Sequence, residues 1–266
     1  MSINIKTSFA FYLEEPTDLL LQFQAAAIPE QTIIETDTWL TKAEHIASVP
    51  AQDAIGERVW VRAQGPYQVD YTAEVQVNRM VSDIAKLPPL DPHDLPGECV
   101  EYVFDSRYCQ ASRMQSFVED RFGKYTGGAR IAAIRDWIAD KFTYEPGISD
   151  ASTTAIDSFV ERRGICRDYA HVLISLARAS TIPARYVSCY APGVTPQDFH
   201  AVAEVFLADE NTPGGGSWQI VDATGMADPA KTVKIGIGRD AADVSFLTSF
   251  GFADFKNSSV EVNEAN

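Results

Sequence analysis

Between residues 68 and 77 apolar and polar side chains alternate without a break. Val69, Tyr71, Ala73, Val75 and Val77 fall on one face, and Gln68, Asp70, Thr72, Glu74 and Gln76 on the other. This period of two predicts a half-buried strand. Residues 19–25, 31–40 and 58–63 carry weaker forms of the same alternation, and Gly65-Pro66 is expected to turn the chain between two of them. The pattern predicts an antiparallel, sandwich-like β domain over residues 1–88.

The period then changes. Leu87-Pro88-Pro89-Leu90-Asp91-Pro92 cannot hold regular structure and reads as a linker. Helical spacing follows over residues 115–122 and over 129–142. In the second of these Ile131, Ile134, Ile138 and Phe142 share a face, just after Gly127-Gly128. A third helix is predicted over 151–161, with Ser149 and Asp150 as potential caps, and a fourth over 166–179. Strand-like stretches then occupy 184–190, 200–207, 217–222 and 232–237. This is an α+β pattern, helices packed on an antiparallel sheet, over residues 89–256. The polar tail, 257–266, is expected to fray.

Composition narrows the function. The chain has 266 residues and a formal net charge of −15, which argues against a nucleic-acid partner, since neutralising phosphates needs clustered Lys and Arg. No stretch approaches the ~20 apolar residues of a membrane helix, and no membrane partner is expected. The short apolar run at residues 8–13 is cut off by Glu14 and Glu15 before it could serve as a signal core. A cytoplasmic location is therefore expected. The four cysteines, Cys99, Cys109, Cys166 and Cys189, form no C-x-x-C pair and fit a reducing compartment, where a lone thiol stays reactive.

One of those thiols stands in a suggestive place. In Gly164-Ile165-Cys166-Arg167-Asp168-Tyr169-Ala170-His171, the stripe Cys166, Ala170, Leu173, Ala177 anchors a helix and leaves Cys166 at its first turn. Free N–H groups and the positive end of the helix dipole favour a thiolate there, and the same N–H groups suit an oxyanion. A buried structural cysteine is the commoner fate of a lone thiol, but the polar neighbours argue against it. His171 lies five positions on, about 140° around the helix, and faces elsewhere. His45 and His93 lie in no catalytic context. His200 opens one predicted strand and Asp222 closes the next, so a hairpin closed by the 208–216 loop puts both at its open end. Cys166 as nucleophile, His200 as base and Asp222 as orienter form an activated-thiol set. Zinc bound by these groups is the weaker alternative, because close-spaced Cys/His pairs are absent. Gly214-Gly215-Gly216 is no phosphate cradle, since a strand follows it.

At these residues the chain resembles the transglutaminase-like superfamily, in particular a bacterial group in which a β-rich domain precedes a papain-like core. The nucleophile segment is similar to that group's G-x-C-R-D-[FY]-A-H pattern. Ile182-Pro183-Ala184-Arg185-Tyr186-Val187-Ser188 matches I-P-A-R-Y-V-S, Phe199-His200-Ala201 is similar to part of D-F-H-A, and residues 238–244 match G-R-D-x-x-D-V. The resemblance implies a papain-like core, the same Cys166, His200 and Asp222 as the triad, no metal or organic cofactor, and a peptide or protein substrate. Two departures stand out: Asp222-Ala223-Thr224 where relatives often have Asp-Pro-Thr, and Arg167 where the animal cross-linking enzymes have a tryptophan. The second favours hydrolysis, by a protease or amidase, over amine transfer to a glutamine. A peptide-binding scaffold without turnover is the rival from another class.

Overall fold

The computed structural model describes residues 1–210, 212 and 215–265. Two very long strands, β1 (Ser2–Leu21) and β4 (Glu57–Val77), pair antiparallel along nearly their whole length and carry a six-stranded sheet. β2 (Gln31–Leu40) and β3 (His45–Pro50) add to opposite ends of β4. Odd-numbered side chains of β1, among them Ile3, Ile5, Phe9, Phe11, Leu13, Leu19 and Leu21, are buried, as are Val69, Tyr71, Val75 and their alternates on β4. The predicted period of two thus runs on into a single inner face.

Gly65-Pro66 does not turn the chain. Both residues lie inside β4, opposite Leu13 and Tyr12, and the expected strands at 58–63 and 68–77 are two parts of that one strand. The irregularity falls on β1 instead, where the register slips by two residues between Leu13 and Thr17. An even slip keeps the odd side chains inside on both sides of the bulge.

The polar tail does not fray. It forms most of β12 (Asp254–Glu264), antiparallel to the first half of β1, while β11 (Leu247–Ser249) pairs with β1 farther along. Val260 and Val262 alternate with polar residues and are buried in the same core as Ile3 and Ile5. Two apolar residues sufficed because β1 offered an unpaired edge.

The second half is built around α4 (Cys166–Ala179), buried almost all round between α1 (Gln115–Phe122), α2 (Gly127–Lys141), α3 (Ala155–Glu161) and a four-stranded sheet. That sheet runs β10-β7-β8-β9, all antiparallel, from β7 (Ala184–Tyr190), β8 (His200–Ala208), β9 (Gly216–Val221) and β10 (Val233–Gly238). Two two-residue strands, β5 (Thr143–Tyr144) and β6 (Arg163–Gly164), pair in parallel beside α4. The Gly127-Gly128 step is needed because α2 starts against the linker backbone. A Cβ on Gly128 would lie 1.7 Å from the Ile84 carbonyl oxygen. Capping of α3 falls to Thr154, reciprocally with Asp157, and not to Ser149 or Asp150.

The two halves share apolar surface: Tyr190, Val233 and Ile235 of the small sheet complete the core of the large one. Beside this seam lies a buried ionic group. Glu204, fully buried, is held between Lys234 and Arg185, whose Nη2 is 2.8 Å away, and these cations keep its carboxyl at about 2 against the cost of burial. Arg185 also stacks over Trp218 at 3.9 Å. No helix among the described residues is long and apolar enough to cross a membrane.

Candidate active site

Cys166 is the first residue of α4 and is half-buried, whereas Cys99, Cys109 and Cys189 are buried. The helix start is held by Asp168. Its fully buried carboxylate accepts the Ile165 N–H at 2.8 Å, the Ser149 hydroxyl, and the Arg167 guanidinium at 3.2 Å. Gly164 is required here: a Cβ would stand 2.6 Å from Asp168 Cβ. Arg167 reaches on to the Asp150 carbonyl at 2.7 Å, so the residue that replaces tryptophan turns toward the 149–153 loop and clamps it. Asp168 as the organiser of the Cys166 turn was missed by sequence reasoning. Its signal was its place at the third helical position, where a carboxylate can reach back to the residue before the helix.

His200 opens β8 opposite Cys189 of β7, and Asp222 follows directly on the last residue of β9. The antiparallel β8–β9 pairing brings them together as the hairpin argument required: His200 Nε2 lies 3.0 Å from Asp222 Oδ2. Asp222 is itself fixed by the turn that follows it. It accepts the Thr224 N–H at 2.7 Å and the Thr224 hydroxyl at 2.8 Å, and the N–H groups of Met226 and Ala227 at 3.1 and 2.8 Å. Ala223, in the place where relatives often carry proline, supplies none of these bonds. Gly214, part of the loop closing this hairpin, lies outside the described residues.

The electrostatics follow from this packing. Burial of Asp222 would raise its pKa, but His200, the Ala227 N–H and the Thr224 hydroxyl outweigh it and hold the carboxyl below its usual value. Burial of His200 would discharge the ring. The hydrogen bond to Asp222 and the neighbouring Cys166 thiol reverse that, and its pKa is pushed up to about 9. His200 Nδ1 is buried with no hydrogen-bond partner among the described residues, on a ring whose other nitrogen is committed to Asp222. The remaining histidines stand apart. His171 faces away from Cys166, stacked on Tyr108, with its Nε2 accepting the Ala241 N–H at 3.1 Å and burial holding its pKa well below 6.5. His45 and His93 are exposed on β3 and in the linker. Tyr144 packs on the same apolar cluster as Cys166, and its two-residue strand was too short to read from periodicity.

Comparison with known proteins places these residues in context. Residues 111–223, which include Cys166, His200 and Asp222, match the family model of the transglutaminase-like superfamily. A crystal structure of a proposed cysteine protease from Cytophaga hutchinsonii superposes with a TM-score of 0.90, at 31% identity, over 99% of this chain and 90% of that one. An uncharacterized protein from Mycobacterium leprae is 30% identical over 127 residues, and one from Mycobacterium bovis 31% over 133. Those stretches cover 45% and 46% of this chain, and 43% and 41% of the mycobacterial proteins. The chain thus matches less than half the length of these two relatives.

Proposed function

This chain belongs to the transglutaminase-like superfamily, and from that membership and the arrangement of three side chains we propose that it hydrolyses amide bonds of peptides or glutamine side chains through Cys166, His200 and Asp222. One observation carries the reading. The 3.0 Å contact between His200 Nε2 and Asp222 fixes the ring with Nδ1 left for the thiol at the start of α4. With its pKa near 9, His200 holds a proton at neutral pH and can serve as the general acid.

In this mechanism Cys166 attacks the carbonyl carbon as the thiolate, and the C=O pair moves onto oxygen. The pair returns as the C–N bond breaks, and His200 Nδ1 gives its proton to the leaving nitrogen. Water, deprotonated by the same nitrogen, then cleaves the thioester and frees the acid. Water is favoured over an amine because Arg167, committed to Asp150 and Asp168, provides no aromatic wall beside Cys166 to exclude solvent.

The test incubates wild type and Cys166→Ala with a broad peptide library, with and without excess primary amine, and weighs the products. Hydrolysis products dependent on Cys166 are expected. Predominant amine adducts would replace hydrolysis by transamidation. No product of either kind would favour a peptide-binding scaffold.

A further inference from the structure

β9 is the outer strand of the small sheet, and its edge away from β8 pairs with no strand among the described residues. The ladder fixes which of its groups are left over. The Phe206 N–H donates to the Pro183 carbonyl at 2.9 Å, so Phe206 and, two residues back, Glu204 turn their main chain toward β7. In an antiparallel ladder the residues between them turn the other way. Val205 and Ala203 therefore bond their opposite numbers on β9, Gln219 and Val221. Trp218 and Ile220 keep N–H and C=O groups directed away from the sheet.

Nothing blunts this edge. Gly216–Val221 contains no Lys or Pro, and the β8–β9 register runs without a bulge. Residues 78–84 pass alongside, but among the described residues no hydrogen bond joins them to β9. A groove separates the two. One cavity of about 730 Å³ borders Gly216 to Gln219, and a second of about 230 Å³ borders Gln219 and Ile220; Arg79, Met80 and Ser82 line both. The edge is also rigid, because the Trp218 ring is held by the Arg185 guanidinium at 3.9 Å and by the rings of Phe206 and Tyr102 at 5.3 and 5.4 Å.

We propose that this groove binds an extended peptide segment, which joins the sheet as a fifth strand through hydrogen bonds to the main chain of Trp218 and Ile220. Alternate residues of a strand repeat roughly every 7 Å, and a second extended main chain offers donors and acceptors at the same repeat. An apolar side chain of the peptide enters the larger cavity, where Ile28, Ile55, Phe206 and Trp218 meet it. Main-chain pairing supplies the affinity and that cavity the selection. β9 leads from the groove to Asp222, two residues past Ile220. That the bound segment belongs to a substrate rests on the function proposed above; that it binds does not.

The test uses Cys166→Ala, which allows binding without turnover, and capped hexapeptides acetyl-Thr-Xaa-Thr-Yaa-Thr-Val-amide, with Xaa and Yaa drawn from Val, Leu, Phe, Trp, Lys and Glu. Calorimetric titration should find binders with submillimolar Kd, tightest where Leu, Phe or Trp fills a variable position. The main chain is then probed from the peptide, which leaves the protein unchanged. N-methylating one alternate set of peptide amides should weaken binding by about 10-fold or more, and methylating the other set by less than about threefold, as the loss of one or two hydrogen bonds requires. Amide hydrogen exchange should slow on binding at Trp218 and Ile220 and stay unchanged at Gln219 and Val221, which are already paired. Ser82→Trp, which fills the groove from outside the sheet, should abolish binding. No binding across the set, binding that survives Ser82→Trp, or a loss that ignores which amides are methylated would overturn the proposal. So would a dimer seen by sedimentation and dissolved by Ser82→Trp, which would give the edge to a second copy of the chain. Peptides that bind here while wild type cleaves none would leave this site standing and count against the proposed hydrolysis.

Discussion

Replacing Asp222 with asparagine keeps the size of the side chain and removes the charge facing His200. The His200 pKa stands at about 9 against 6.5 for an ordinary imidazole. At 1.36 kcal/mol per pH unit, that is about 3 kcal/mol in favour of the imidazolium. Burial opposes it, so Asp222 and Cys166 together supply more than the net figure. Working in a Cys166→Ala background removes the thiol and leaves Asp222 as the main support. Asp222→Asn in that background should bring the His200 pKa below 6.5, because burial is then unopposed. Imidazole NMR titration reads this directly, with the His200 signal assigned by its loss in His200→Gln. Stability should follow with a definite sign. The folded pKa of His200 lies above its unfolded value, so its contribution is complete below pH 6.5 and is lost as pH rises through 9. Chemical denaturation should therefore find Asp222→Asn less stable than its parent near pH 6, with the difference shrinking by pH 10. A His200 pKa that does not move, or a destabilisation that is flat across this range, would refute the electrostatic account of the pair.

Further outcomes follow from the packing. Iodoacetamide should label the native protein at Cys166 alone, by peptide mass, since Cys99 and Cys109 are pushed up to about 12 by burial and Cys189 is fully enclosed. Glu204→Gln removes the buried anion shared by Lys234 and Arg185, leaving them only the more exposed Glu30 and Asp53, and should cost about 3 kcal/mol in urea denaturation. Val260→Ser combined with Val262→Ser should cost about 3–5 kcal/mol by the burial of two valines; an effect within about 0.5 kcal/mol, the usual range for surface sites, would mean that β12 is not part of the core in solution.

The elements themselves were largely written into local pattern. The alternation around Val69–Val77 continues through β4, and the fourth helix begins and ends at the residues its apolar stripe predicted, Cys166 and Ala179. In each the burial partner lies along the whole length of the element, so periodicity reports it faithfully. Pattern failed where a neighbour in space overruled it. Gly65-Pro66 looks like a turn in isolation, but the bulge that accommodates it sits some fifty residues away in β1. The tail from Asn257 looks unable to pay for order, and it is the edge of β1, at the other end of the chain, that makes two valines enough.

The same division runs through the site. Residue type and order marked Cys166, His200 and Asp222 as candidates, because a helix start, a strand start and a strand end each leave a visible local mark. Their relation was not contained in those marks. The antiparallel pairing of β8 and β9 sets His200 Nε2 against Asp222, and the bonds of Thr224, Met226 and Ala227 aim that carboxylate. Tyr144 and Asp168 left weaker traces still. One lies on a two-residue strand, and the other folds back on the residue before its helix. What the amino-acid order determined was which segments bury a face and which groups can do chemistry, since both depend on near neighbours along the chain. The pKa of His200 and the fate of Arg167 came only with the tertiary structure, because hydrogen bonds and charge act across ångströms of space, whatever the separation in sequence.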